Sequence, residues 1–259
     1  MKQLIKPVLK SLGFIALYTI INTIIVLAYS IVAGIEDIQN MSPNAITTML
    51  IATQILVLFI ILLIYKKQFT TFVRLKRVSP KIILWSFIIG IAGINISALL
   101  ITVMNFLIPE QVASYIEAIE GSIGGASFLF SLIAVVILAP LVEEIMMRGM
   151  VFKWFEKTNI KPWVLIIVSG LFFGIFHLNL IQGVFTTVVG MIYALGFLMT
   201  RSLWVPIVMH AANNLYAFTA GYLPEGLIES QWFTIISYLM LVLIPIGFYQ
   251  IKKELRGQI

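Results

Sequence analysis

Apolar residues in this chain come in long runs divided by short polar links, with no sustained helical or strand alternation. The first run extends from Ser11 to Gly34, behind Lys2, Lys6 and Lys10, and no further charge appears until Glu36. It is too long for the roughly 7–15-residue core of a cleaved signal peptide and reads as a retained transmembrane helix. Further runs cover about residues 45–65, 82–108, 127–150, 162–180, 183–200, 203–222 and 231–250. About 20 apolar residues cross the hydrocarbon of a bilayer, so the pattern predicts eight spans. The division between the fifth and sixth rests on Asn179, Gln182 and Gly183 alone. The expected fold is all-α, a polytopic membrane bundle of about eight transmembrane helices. No period of 20–50 residues repeats, no segment is low in complexity, and no inverted repeat is visible.

Composition excludes the soluble alternatives. Of the 259 residues 61% are hydrophobic and 11% charged, against roughly 45–50% and about 25% in soluble domains. With no cysteine, disulfides, thiolate nucleophiles and Cys-ligated metals are excluded together. The 17 Lys and Arg against 11 Asp and Glu give a net charge of +6, but the cations are sorted by topology. If eight helices alternate, the segments on the side of the N-terminus are 1–10, 66–81, 151–161, 201–202 and the tail after 250. With Arg148 at the same end of the fourth run, they hold every Lys and Arg. The opposite segments carry Glu36, Asp37, Glu110, Glu117, Glu120, Glu225 and Glu229. The positive-inside rule then places both termini in the cytoplasm. A nucleic-acid partner, which needs cations gathered on one folded surface, is not expected.

Ionisable groups at membrane depth are costly, about 2.5–3.5 kcal/mol each on insertion scales, and mark functional sites by default. The fourth run holds Glu143, Glu144 and Arg148; the fifth holds His177 and the seventh His210, and the loops hold no histidine. Residues four apart share a helix face, so Glu144 and Arg148 can pair while Glu143 points about 100° away. The division expected is a neutralised structural pair, Glu144–Arg148, and a working carboxylate, Glu143. Pro140 lacks a backbone N–H and frees a carbonyl on the preceding turn, which is tolerated beside a wet cavity. Gly170 and Gly174 form a GxxxG face for close helix approach. His177 lies on or beside that face, with Phe173 four residues before it able to stack on the ring. His210 and Asn214 form an i, i+4 pair. Together these groups suit activation of a water and stabilisation of an oxyanion, and equally a metal site, since His, His and Glu are common zinc ligands.

Elimination narrows the chemistry. Asp37 is the only aspartate, so an aspartyl dyad is absent; the histidines do not form HExxH, and no GxSxG elbow accompanies Ser127, Ser169 or Ser202. Glutamate and histidine chemistry on water, with or without metal, survives.

The strings EEIMMR (143–148), FGIFH (173–177) and HAANN (210–214) resemble the EExxxR, FxxxH and HxxxN motifs of the CPBP family of intramembrane proteases, which includes the CAAX prenyl protease type 2, or Abi, proteins. The match covers about residues 127–220. The resemblance implies that Glu143 and His177 activate the hydrolytic water, that His210 and Asn214 stabilise the oxyanion, and that Arg148 fixes the carboxylate pair. It implies about eight helices around a membrane cavity open to the cytosol, in a multi-pass protein of the bacterial plasma membrane. Partners so implied are membrane lipid and a peptide or lipidated protein substrate. It leaves open whether zinc or another divalent metal takes part; if so, Glu143, His177 and His210 are its ligands. On this reading residues 1–126 hold the first three helices, 127–222 the protease-like helices four to seven, and 223–259 the last helix and a basic tail. The alternatives are a non-catalytic bacteriocin-immunity or scaffold protein and a small transporter with Glu143 and His177 as proton relay.

Depth sets one further expectation. At about 1.5 Å per residue, His210 lies roughly 13 Å from Arg201, whereas His177 lies roughly 24 Å from Lys161. The two depths agree if the fifth helix begins outside the hydrocarbon, with residues around 157–164 helical, or if the Asn179–Gly183 link dips inward. The first is expected.

Overall fold

Helix starts are written locally. Ser42–Pro43 and Ser79–Pro80 each put a capping hydroxyl before a proline at the first helical position, and the serine side chains accept from the backbone N–H groups of Ala45 and Ile82. Asn179 and Ser230 cap two later helices in the same way. In the computed structural model, which describes residues 2–35, 41–123 and 125–257, the resulting helices are α1 (Lys2–Ala33), α2 (Pro43–Tyr65), α3 (Pro80–Leu107), α4 (Pro109–Ile123), α5 (Phe128–Glu156), α6 (Pro162–Phe176), α7 (Leu180–Thr200), α8 (Trp204–Ala220) and α9 (Gln231–Arg256). Glu36 and Asp37, placed above in the first outer loop, lie outside the described residues. Among the described residues there is no strand, and the all-α expectation holds.

Six helical stretches are long and apolar enough to cross a membrane: Gln3–Ala33, Pro43–Val73, α3, α5, α7 and α9. The segments read as the other two spans form helices shorter than a crossing, so the described residues show six such stretches where eight were expected. α6 has 15 residues and α8 has 17, about 22 and 26 Å at 1.5 Å per residue, against a hydrocarbon core of about 30 Å. α6 and α7 form an antiparallel hairpin, and α3 packs against α7, α8 and α9.

The helix expected around 157–164 is interrupted. α5 ends at Glu156, Asn159 takes a left-handed backbone (φ 55), and Lys161 is extended (ψ 143) before Pro162. A residue preceding proline is driven out of the α region, so the break is local. α6 ends at Phe176, and His177, at its C-terminal cap, lies as close to Glu143 as His210 does (4.0 and 3.9 Å).

α5 is not a uniform α-helix. Two π-helical stretches, Leu132–Leu138 and Ile145–Val151, flank the α turns Ala139–Glu144. In the wide register a carbonyl pairs with the N–H five residues on, which for Val135 is the missing N–H of Pro140.

The basic segments meet at one end of the bundle. Glu156 accepts from Arg74 (Nη2, 2.7 Å) and from Arg201, Lys153 donates to the Phe72 carbonyl (3.0 Å), and Lys81 lies 3.7 Å from Glu254. A buried core lies just inside that end and includes Val73, Met146, Met147, Phe152, Phe197, Leu203 and Val205, none more than 1% exposed. At the other end α4 lies across α2 and α3, with Val112 buried against Met104 and Ile181 and with Glu110, Glu117 and Glu120 exposed.

Candidate active site

α5 carries the first three groups. The four-residue spacing of Glu144 and Arg148 survives into the structure, and Arg148 Nη1 donates to Glu144 Oε1 at 2.8 Å with neither side chain exposed. Arg148 Nη2 donates to the Gly190 carbonyl of α7 at 2.5 Å, and the guanidinium lies 5.0 and 5.6 Å from the Phe173 and Tyr193 ring centres. A lone charge at this depth would be costly; the carboxylate, the carbonyl and two π faces offset that cost. Arg148 is therefore deep in the bundle, and its bond is to Glu144 alone of the two glutamates.

Glu143 points into a different space, as the 100° offset requires. Its Oε2 has no hydrogen-bond partner and lies 4.0 Å from His177 Nε2 and 3.9 Å from His210 Nε2. Each imidazole is oriented from behind. His177 Nδ1 is 2.8 Å from the Phe173 carbonyl, and because a carbonyl only accepts, the proton sits on Nδ1 and the Nε2 lone pair faces Glu143. His210 Nδ1 is 3.1 Å from Glu144 Oε1, so the neutralised pair also fixes the second histidine. Phe173 meets both rings edge to face, at 4.9 and 5.5 Å.

Asn214 is one helical turn beyond His210 on α8. Its Nδ2 donates to the Val135 carbonyl at 2.8 Å, the acceptor freed by Pro140, and its Oδ1 faces Asn213 Nδ2 at 3.4 Å. One amide hydrogen of Nδ2 is left for another acceptor. The GxxxG face of α6 meets α7: a Cβ at Gly170 would lie 2.6 Å from the Thr187 carbonyl, and one at Gly174 would lie 2.5 Å from that of Gly183. Only hydrogen at those positions lets α6 come close enough to present His177 beside Glu143.

These groups line one cavity of about 460 Å³, among Gln54 of α2, Ser97 of α3, Tyr115 of α4 and Thr186 of α7. Glu143, His177, His210 and Asn214, expected together, are brought together there; Phe173 supports them, and Glu144 and Arg148 lie beneath. Tyr193 and Gly190 were not anticipated. Tyr193 stacks on His210 (5.3 Å, 24° between planes) with its hydroxyl unpartnered. Their only signal is a three-residue spacing on one face of α7, which many helices share. Among the described residues no group of three or more His, Asp or Glu side chains is disposed to hold a metal ion.

Comparison with known proteins agrees with this reading of the motifs. Residues 125–216 match the family described as Rce1-like, type II CAAX prenyl endopeptidase Rce1-like. The curated Bacillus subtilis (strain 168) protein named "Putative membrane peptidase YdiL" is 33% identical over 81 residues, which are 31% of this chain and 32% of that protein. The chain thus matches about a third of that relative's length. No solved structure matches. Residues 125–216 of this integral membrane protein, which hold all three motifs, are thus similar to the Rce1-like type II CAAX prenyl endopeptidases.

Proposed function

We propose that the protein is an intramembrane endopeptidase that hydrolyses a peptide bond of a membrane-associated or lipidated peptide or protein, with Glu143 and His177 as the groups that activate water. The observation that carries this reading is the unpartnered Glu143 Oε2, 4.0 Å from the lone pair of His177 Nε2, at the wall of a cavity. That gap is too long for a hydrogen bond, but a water about 2.8 Å from both atoms subtends an angle near 90° and can direct one O–H at each.

The water gives a proton to Glu143 or His177 as its oxygen attacks the substrate carbonyl. The oxyanion forms beside His210 and Asn214. His210, oriented through Nδ1 by Glu144, faces it with Nε2, and Asn214 donates its free amide hydrogen. The proton held by the base then passes to the departing amine as the C–N bond breaks.

The test is comparative peptidomics of membranes containing the parent chain or Glu143→Gln, which keeps the shape and removes the base. Peptides that depend on the parent are expected to be lost in the variant. If the same peptides persist, the hydrolytic reading fails, and a binding or immunity role for the cavity gains.

A further inference from the structure

We propose that the pocket between the start of α1 and the end of α5 binds an anionic phospholipid, with its phosphate among Lys6, Lys10 and Lys157 and an acyl chain along the seam between α1 and α2. The proposal does not depend on the hydrolytic reading above.

Three segments remote in sequence build the pocket. It holds about 450 Å³ between Lys6, Pro7 and Lys10 of α1, Tyr65 at the end of α2, and Trp154 and Lys157 at and just past the end of α5. Among the described residues no carboxylate lines it, and none pairs with these three lysines. The acids at this end of the bundle are already engaged: Glu156 holds Arg74 and Arg201, and Glu254 lies beside Lys81. Like charges gathered without a counter-charge repel one another, and a bound anion relieves that repulsion.

Aromatic rings mark the depth. The apolar run of α1 begins at Ser11, and Lys10, the last cation before it, has its Nζ 5.8 Å from the Trp154 ring centre. Tyr65 stacks on Phe72 at the same pocket. Trp and Tyr collect where hydrocarbon gives way to headgroups, and basic pockets at that level recognise lipid phosphate. The pocket therefore sits at headgroup depth, whichever side of the membrane it faces.

The helix face that carries the lysines also supplies a place for the tail. Lys6, Lys10, Phe14, Leu17 and Ile21 follow one another at steps of three and four, so two cations give way to apolar groups along one stripe of α1. Phe14, Tyr18 and Ile21 form a narrow apolar crevice with Val57 and Ile60 of α2, and Phe14 meets Trp154 edge to face at 6.3 Å, so the crevice begins where the pocket ends. A free phosphate uses the lysines alone, whereas a phospholipid uses both spaces. A zwitterionic lipid would bring its own amine among the lysines, so the preference is for a headgroup of net negative charge. The helix gains support from such a lipid: of the described residues of α1, only Pro7, Ser11, Ile15 and Ser30 are buried.

The test follows thermal unfolding of the full chain in dodecyl maltoside micelles with added dioleoyl phosphatidylglycerol, dioleoyl phosphatidylcholine or inorganic phosphate. Phosphatidylglycerol is expected to raise the unfolding temperature saturably, and the other two to leave it unchanged. Lys6→Ala, Lys10→Ala and Lys157→Ala combined should weaken the apparent affinity for phosphatidylglycerol on the order of 100-fold. Lys76→Ala, Lys252→Ala and Lys253→Ala combined, an equal loss of charge at exposed positions outside the pocket, should not. An equal shift with phosphatidylcholine, or an equal loss in both triple variants, overturns the site. An equal shift with phosphate overturns the assignment to a lipid. Native mass spectrometry of the parent chain, offered both lipids in equal amounts, needs no variant: retention of phosphatidylglycerol is expected, and retention without preference overturns the proposal.

Discussion

Arg148 and Glu144 form an ion pair, 2.8 Å from Nη1 to Oε1, in which neither side chain is exposed. The pair is a platform: Glu144 orients His210, and Arg148 holds the Gly190 carbonyl of the neighbouring helix. Removing one partner leaves the other charged and without its partner in the core. Glu144→Gln and Arg148→Met are each expected to destabilise by about 3–5 kcal/mol, and the double variant by less than either. Thermal unfolding in detergent checks this, and rescue in the double variant is the diagnostic result.

Glu143 is expected to behave in the opposite way. It has no strong structural partner, so Glu143→Gln should unfold within a degree or two of the parent. Its rate of peptide hydrolysis should fall by a factor on the order of 10²–10⁴, as expected for loss of a general base. Rate and unfolding temperature measured on the same preparations separate the adjacent glutamates.

This separation was legible in the sequence, and the reason is geometric. A four-residue spacing fixes a shared face whatever surrounds the helix, so Glu144–Arg148 and the aim of Glu143 follow from spacing alone. The rest depended on tertiary approach. Nothing in FGIFH states that α6 stops at Phe176, leaving His177 at its end beside Glu143. Likewise, Pro140 announces a freed carbonyl but not its distant donor, which proved to be Asn214 on α8. The basic segments were legible as one group because sorting of charge acts on the whole chain, whereas the buried core beside them arises from packing between helices remote in sequence.

Asn214→Ala removes the donor to Val135 and leaves that carbonyl unpaired beside the cavity. A stability loss of about 1–3 kcal/mol is expected. In the proposed reaction the rate should also fall by roughly 10²–10³, as when one oxyanion donor is lost. Steady-state kinetics should place the loss in kcat, since the bond to the oxyanion forms in the transition state.

Gly190→Ala tests how tightly α7 meets the platform. The added Cβ would lie 2.8 Å from Phe173 Cδ1 and 3.3 Å from Arg148 Nη2, and overpacking of this kind costs about 1–3 kcal/mol. Gly226→Ala, with nothing within 4 Å of its Cβ, is the control and should be neutral or slightly stabilising in the short helix Glu225–Ile228. Melting curves of the two variants should diverge.

The brevity of α6 has a consequence for the lipid around it. A wall of about 22 Å facing a bilayer of about 30 Å is a hydrophobic mismatch, and the membrane accommodates it by thinning locally. Leu178 and Leu180, 67% and 66% exposed at the tip of the hairpin, mark where that depression forms. Hydrolysis inside a membrane is short of its second reactant, and in the proposed reaction a bilayer thinned beside α6 would bring headgroup water toward His177.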